Sequence, residues 1–240
     1  MMVILSQVDI APTIVKILSL QYRADGKQVE EIVDYGRGCR MVVLLIIDGL
    51  GYALFNELRQ YLPNINRVSS VGKIYECEAV ARYTTPAIAS ILCGKLPEEH
   101  EIYRTGDVYK SDVKSIAEAA SEQGTKSAVV MEEEGASTFE GRVDVVRKIR
   151  NRPEILEFDR LVTEASVNVI REVKPRILIS HLRAIDKLNG SSEAARHIDK
   201  NIGKILDACR GMEALAMLCG DHPPHSQLEQ RSVPLVVGKV

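Results

Sequence analysis

The chain contains no tryptophan and three phenylalanines, too little aromatic surface to stack nucleic-acid bases or sugar rings. Affinity for a ligand must then come from charge or metal. Its five cysteines, Cys39, Cys77, Cys93, Cys209 and Cys219, are odd in number and lack C-x-x-C spacing, which argues against a disulfide framework or a structural zinc knot. They read as buried free thiols. No apolar run is long: Met41 to Ile47 falls far short of the roughly 20 residues a membrane helix needs. The N-terminus also lacks a basic start followed by an apolar stretch, and a cytoplasmic protein is expected. An excess of either charge is missing as well. Thirty-one Lys and Arg against 33 Asp and Glu leave −2, so no broad basic surface for duplex nucleic acid or for a membrane is implied.

What is present is an alternation of strand-length apolar runs with helical periodicity, the pattern of a mostly parallel sheet covered by helices on both faces. Strands are expected at Met41–Ile47, Lys73–Ala79, Lys126–Met131, Arg176–Ser180, Ala214–Cys219 and Pro234–Val237. Helices are expected at Tyr52–Tyr61, Ala87–Cys93, Val113–Glu122, Ile155–Val173 and Ala194–Cys209. Near the start, Asp9-Ile10-Ala11-Pro12-Thr13 reads as a helix opening, with Asp9 as cap and Pro12 in the first turn. A turn-rich stretch Tyr22–Arg40 follows, and Glu132–Arg152 reads as a mixed-charge surface segment. A single α/β domain, a three-layer α/β/α sandwich over residues 1–240, accounts for the chain.

Four polar positions share one address. Asp48 follows the strand at Met41–Ile47, Thr84 comes soon after Lys73–Ala79, Asp186 follows Arg176–Ser180, and Asp221-His222 follows Ala214–Cys219. In a parallel sheet all of them lie beyond the carboxyl edge, where open α/β sheets bind ligands. Three carboxylates gathered there repel one another unless a cation sits among them. One or two divalent metals resolve this, because oxygen and imidazole donors suit such ions. Thr84 sits in Tyr83-Thr84-Thr85-Pro86, where Thr85 can cap and Pro86 can open a helix, so the hydroxyl lies at a positive helix end suited to a phosphate-like anion. A threonine hydroxyl is scarcely nucleophilic at neutral pH and needs a metal to favour its alkoxide.

Each residue taken singly has a plainer reading. Asp48 before glycine serves a turn equally well, Thr84 a cap, and Asp186 a solvated turn. The Asp221-His222-Pro223-Pro224-His225 string, with two imidazoles beside an acid in a proline-stiffened loop, is the best ligand cluster of the set. His100 reads as a loop anchor and His197 as packing or surface. His181, at a strand end, is left out of the candidate ligand set.

These residues resemble the alkaline phosphatase superfamily, in particular its nucleotide pyrophosphatase/phosphodiesterase-like branch. The resemblance rests on Val43-Leu44-Leu45-Ile46-Ile47-Asp48-Gly49-Leu50-Gly51, on Thr84-Thr85-Pro86 running to Gly94-Lys95-Leu96-Pro97-Glu98-Glu99-His100, and on Gly220-Asp221-His222 with His225. It implies that Thr84 is a nucleophile forming a covalent phospho-enzyme. It also implies one metal on Asp48, Thr84, Asp221 and His222 and a second on Asp186 and His225, with zinc the first expectation and manganese the second. The family's further ligand, a histidine four residues after the Asp186 equivalent, is replaced here by Gly190, leaving water, Asn189 or His181 to complete the second site. The segment Asp9 to Val15 with Asp25-Gly26-Lys27 resembles a stretch that related phosphatases and sulfatases carry at the end of the domain. A circular permutation that packs the Asp9 helix beside Pro234–Val237 is therefore expected.

The expected function is metal-dependent hydrolysis of a phosphodiester, nucleotide or phosphomonoester, with a small phosphorylated substrate as partner. Two alternatives stand beside it: phosphoryl transfer like that of the related phosphoglycerate mutases, and a degenerate member that binds metal or phosphate without turnover. The oligomeric state is not encoded in any feature of the sequence.

Overall fold

A computed structural model describes residues 5–227 and 229–240. Among them, eight strands form one sheet: β1 (Leu5–Ser6), β2 (Met41–Ile47), β3 (Lys73–Glu78), β4 (Ser127–Glu132), β5 (Val145–Ile149), β6 (Ile177–Leu182), β7 (Ala214–Gly220) and β8 (Ser232–Lys239). Their order is β1-β3-β8-β7-β2-β6-β4-β5. Strand β8 runs against both of its neighbours, β3 and β7, whereas the other adjacent pairs are parallel. It follows that β2, β3, β6 and β7 all point the same way and present their carboxyl ends on one edge.

Helices cover both faces of this sheet, which gives the α/β/α sandwich. Central β2 shows why its run is uninterruptedly apolar: alternate residues enter opposite cores. Val43, Leu45 and Ile47 pack with the helices Tyr52–Leu58, Pro63–Val71, Ile155–Val173 and Ser192–Ala208. Val42, Leu44 and Ile46 join the helices Ile10–Leu18, Thr84–Cys93 and Ile116–Glu122. The first of these helices shares its core with Val233, Leu235 and Val237 of β8, the position expected from the resemblance.

Several local expectations change. The Glu132–Arg152 segment is not merely surface: it holds a short helix, Glu133–Ser137, and the edge strand β5. With one partner strand, β5 keeps Arg147 and Lys148 exposed, so its sequence shows no apolar alternation, and its charges discourage pairing with another chain. The stretch Tyr22–Arg40 contains a helix at Glu30–Tyr35. Asp9 stands before the helix Ile10–Leu18 without capping it through its side chain. Instead its carboxylate accepts the backbone N–H of Ser6 at 2.9 Å and of Lys27 at 2.7 Å, tying the loop around Gly26 to the helix start. A Cβ on Gly26 would lie 2.0 Å from the carbonyl oxygen of Val8, so this close approach requires glycine.

Candidate metal centre

Strand register builds the site. Ile47 pairs with Gly220 across β2 and β7, which sets Asp48 beside Asp221 immediately beyond the sheet edge. On the other side Ile46 pairs with His181 and Ile47 with Leu182, and the chain after β6 then curls back so that the N–H of Asp186 donates to the carbonyl of Asp48 at 3.1 Å. Gly49, with φ of 71°, makes that return possible, since a Cβ there would lie 2.8 Å from the Asp186 Cβ. Thr84 arrives from a different element. The helix opens at Thr84 itself, three residues earlier than expected, with extended Tyr83 preceding it and Pro86 in the third position. Its hydroxyl therefore lies at the N-terminal turn, where backbone N–H groups lack intrahelical acceptors.

Three side chains close a triangle. The Thr84 hydroxyl donates to Oδ1 of Asp48 at 3.3 Å and lies 3.3 Å from Nε2 of His222, and that nitrogen is 3.2 Å from the same Asp48 oxygen. His222 Nδ1 is 2.8 Å from the carbonyl oxygen of Pro223, which can act only as an acceptor. Nδ1 thus carries a hydrogen, and Nε2 faces Asp48 and Thr84; with no ion present a second proton there donates to Asp48, and its loss frees the lone pair for a cation. Asp221 is fully buried, with Oδ1 accepting the N–H groups of Gly49 at 2.9 Å and His222 at 2.7 Å. Its other oxygen, Oδ2, has no hydrogen-bond partner and stands 3.7 Å from His222 Nε2.

A buried carboxylate oxygen left without a donor is costly, and the ionisation of the cluster reflects this. Burial, and then the charge of Asp48, push the Asp221 carboxyl well above the usual carboxylate range. For Asp48 burial works upward too, but the His222 hydrogen bond and the nearby imidazoles hold it below its ordinary value. Burial works to lower His222, yet its hydrogen bond to Asp48 and the charge of Asp221 raise it overall. The donor atoms of Asp48, Asp221 and His222 lie within 4.8 Å of one another. Two carboxylates, one of them with an orphaned oxygen, and an imidazole nitrogen in so small a space fit a divalent ion.

The second cluster is thinner. Donor atoms of Asp186, His222 and His225 also lie within 4.8 Å of one another, with Asp186 Oδ1 3.9 Å from His225 Nε2. The His225 side chain is 53% exposed, and Asp186 Oδ2 is engaged by the Lys187 ammonium at 2.9 Å. Gly190 is left-handed at φ 68° and faces Leu54, whose two methyl carbons would stand 2.9 Å from an added Cβ. A side-chain ligand at that position would need a strained left-handed backbone and a shift of the Leu54 side chain. His181 does not complete the cluster; its Nε2 is directed at Asp48 Oδ2, 3.9 Å away.

These arrangements accompany a sequence match to the family described as type I phosphodiesterase / nucleotide pyrophosphatase, over residues 42–223. The chain belongs to that family. No curated protein matches its sequence. Among solved structures, the phosphodiesterase family chain is similar to phosphonoacetate hydrolase from Sinorhizobium meliloti 1021 in complex with phosphonoformate, at 17% identity and a TM-score of 0.66, covering 84% of this chain and 59% of that one. The PH0037 protein of Pyrococcus horikoshii is 15% identical with a TM-score of 0.56, covering 84% of this chain and 86% of that one. The C-terminal periplasmic domain of EcEptC from Escherichia coli, in complex with Zn, is 12% identical with a TM-score of 0.61, covering 84% of this chain and 73% of that one. These likenesses concern the fold alone. The chain spans 59% of the length of the phosphonoacetate hydrolase.

Within this phosphodiesterase-family fold all six expected residues meet at one edge: Asp48, Thr84, Asp221 and His222 tightly, Asp186 and His225 beside them. Three neighbours were not among the expected site residues. His181 is buried beside Asp48 and burial drives it down to about 4, so it is neutral at physiological pH. Arg183 places Nε 3.7 Å from Asp48 Oδ2, and Lys187 holds Asp186. Their proximity follows from β6 lying next to β2, an adjacency that periodicity within either strand does not carry. Among the described residues no helix is long and apolar enough to cross a membrane.

Proposed function

We propose that this chain hydrolyses phosphoric esters in a metal-dependent reaction, with Thr84 as nucleophile and a phospho-threonine as intermediate. The observation that carries the reading is the position of the Thr84 hydroxyl, 3.3 Å from both Asp48 Oδ1 and His222 Nε2, at the opening of a helix and beside the unpartnered oxygen of Asp221. Asp48, Asp221 and His222, with Thr84, would hold one ion. When bound, a divalent metal supplies positive charge that favours the threonine alkoxide and polarises a phosphoryl oxygen. Zinc is our first choice, manganese the second.

The chain's own groups do the rest. Asp48 orients the hydroxyl by accepting its hydrogen bond and is placed to receive its proton. Free N–H groups of the first helical turn would meet the phosphoryl oxygens, while the Arg183 guanidinium, bonded to Asn151 at 2.8 Å and 3.7 Å from Asp48, steadies the Asp48 carboxylate. Attack forms the Thr84 Oγ–P bond as the ester P–O bond breaks and the alcohol departs with a proton from water; a second water then cleaves the Oγ–P bond, releasing phosphate from a monoester and the remaining phosphomonoester from a diester. Phosphodiesters, nucleotides and phosphomonoesters all fit this chemistry. The five cysteines are free and buried, which supports a cytoplasmic setting.

The experiment is turnover of p-nitrophenyl phosphate and bis(p-nitrophenyl) phosphate by protein reconstituted with zinc or manganese. Hydrolysis that Thr84→Ala leaves undiminished would defeat the mechanism. A second reading, metal or phosphate binding without turnover, draws on the thin second cluster, where Lys187 occupies Asp186 and Gly190 offers no side-chain ligand. Metal uptake with no hydrolysis of either ester favours it.

A further inference from the structure

A single cavity of about 250 Å³ runs from Asp48 and Thr84 into the layer between the nucleophile helix and strand β4. Its walls away from the metal cluster mix apolar side chains, among them Ile88, Leu92, Met131 and Phe139, with the polar Thr105, Glu118, Glu132 and Arg142. Ile88 and Ala89, on the helix that begins with Thr84, are only half-buried although neighbouring Ala87 and Ile91 are fully buried. Their remaining surface faces this chamber rather than another side chain.

The cations along the same wall are already engaged. Arg142 meets Glu118 at 3.1 Å, Lys114 meets Glu122 at 2.6 Å, Lys187 meets Asp186 at 2.9 Å and Arg183 approaches Asp48 at 3.7 Å. Among the described residues the rings lining the space are Phe139 and, beside Asp48, the imidazole of His181, so a nucleobase deep in the chamber would find one face to stack on and a chain of further phosphates no uncommitted charge. At about 250 Å³ the chamber is also below the roughly 300–1,000 Å³ that houses drug-sized ligands.

Resting on the hydrolase reading, we infer that the chamber receives the alcohol half of the ester, and that this alcohol is a compact apolar group, a short alkyl chain or a single ring, rather than a nucleoside. The leaving oxygen would stay at the Thr84 end while its carbon substituent is desolvated against Ile88, Leu92 and Phe139. Burial of apolar surface is then the source of selectivity, worth about fourfold in affinity for each methylene added until the chamber is full.

The test uses zinc-loaded protein and methyl-, propyl- and hexylphosphonate as non-hydrolysable probes, with binding measured by calorimetry and AMP as the nucleotide comparison. The expected result is an affinity that climbs by about tenfold or more from methyl- to propylphosphonate, exceeds that for AMP, and loses its dependence on chain length in Ala89→Phe. Should that variant not fold, Val108→Trp, on a half-buried surface turn, blocks the chamber from its other wall and carries the same expectation. A flat series in the wild-type protein, a gradient that survives both substitutions, tighter binding of AMP, or no phosphonate binding at all would overturn the inference. Sensitivity of p-nitrophenyl phosphate turnover to Thr84→Ala reads the hydrolase proposal separately, because the phosphonate series involves no turnover.

Discussion

The hydroxyl of Thr84 donates to the carboxylate of Asp48 at 3.3 Å, 36 positions earlier in the chain. That contact joins a helix start to a strand end and orients an alcohol that would otherwise be inert. Removing the oxygen while keeping the helix separates chemistry from structure. In Thr84→Ala, turnover of p-nitrophenyl esters is expected to fall at least about a thousandfold with metal content unchanged to within a factor of two or so. Thr84→Ser, which restores an oxygen at the same place, should recover a measurable part of the rate. Steady-state kinetics beside atomic absorption on the same samples checks both outcomes.

Asp221 offers a test of metal binding that does not depend on turnover. Its Oδ1 accepts two backbone N–H groups and its Oδ2 accepts none. Asn in its place keeps an Oδ1 acceptor for Gly49 and His222 while removing a buried charge that burial and Asp48 both disfavour. The metal-free Asp221→Asn protein is therefore expected to be as heat-stable as the metal-free wild type, or more so. Zinc affinity should drop at least about tenfold, and the rise in Tm on adding zinc should shrink accordingly. A calorimetric scan with zinc and with a chelator reads both effects. A variant that still gains the full wild-type Tm increment would remove Asp221 from the ligand set.

How far the sequence alone reaches is visible in particular elements. Strand β2 and the helix Ile155–Val173 match their expected bounds, the first because it is buried on both faces and the second because its apolar stripe persists over many turns. Strand β5 and the helix Glu30–Tyr35 escape notice because they are short and half-exposed, so packing rather than periodicity decides them. The convergence of Asp48, Thr84, Asp221 and His222 was legible, since each follows a strand and parallel strands deliver their ends to one edge. Arg183 and Lys187 were not, and His181, named only as a possible completion of the second site, lies beside Asp48 instead, because their places depend on which strand neighbours β2. The gap at Gly190 could be read from the sequence, but the Leu54 methyl groups that an added Cβ would meet there are a tertiary feature.

That gap leads to a prediction about engineering a second ion site. Restoring histidine at position 190 would force a left-handed φ of 68° on a residue with a Cβ and press that Cβ to 2.9 Å from Leu54. Backbone strain and overpacking together are expected to cost about 2–4 kcal/mol of stability. Gly190→His should accordingly unfold at lower denaturant without binding an additional zinc. His225→Ala, by contrast, alters a half-exposed ring and is expected to leave stability nearly unchanged. Urea titration and zinc stoichiometry on the two variants distinguish these expectations. A Gly190→His protein with wild-type stability and an added tight ion would show that Leu54 yields.

Asp159 provides a pH dependence located away from the metal donors. Its carboxylate accepts the N–H groups of Arg183 at 2.8 Å and Ala184 at 2.9 Å, holding the turn that leads from β6 to Asp186. Burial nonetheless raises its pKa to about 6, with the two backbone N–H bonds opposing that rise. Because the folded value lies above the unfolded one, the native state holds more protons than the unfolded chain between about pH 4 and pH 6. This group's favourable contribution is complete below pH 4 and is lost as pH climbs through 6, a change of up to about 3 kcal/mol. Asp159→Asn, which cannot ionise, should flatten that part of the stability profile, while the remaining slope reports the other titrating groups. Urea midpoints for wild type and variant at intervals from pH 4 to pH 7.5 make the comparison. Parallel profiles through that window would mean that Asp159 is already ionised in the folded protein at pH 4, with the two backbone donors outweighing its burial.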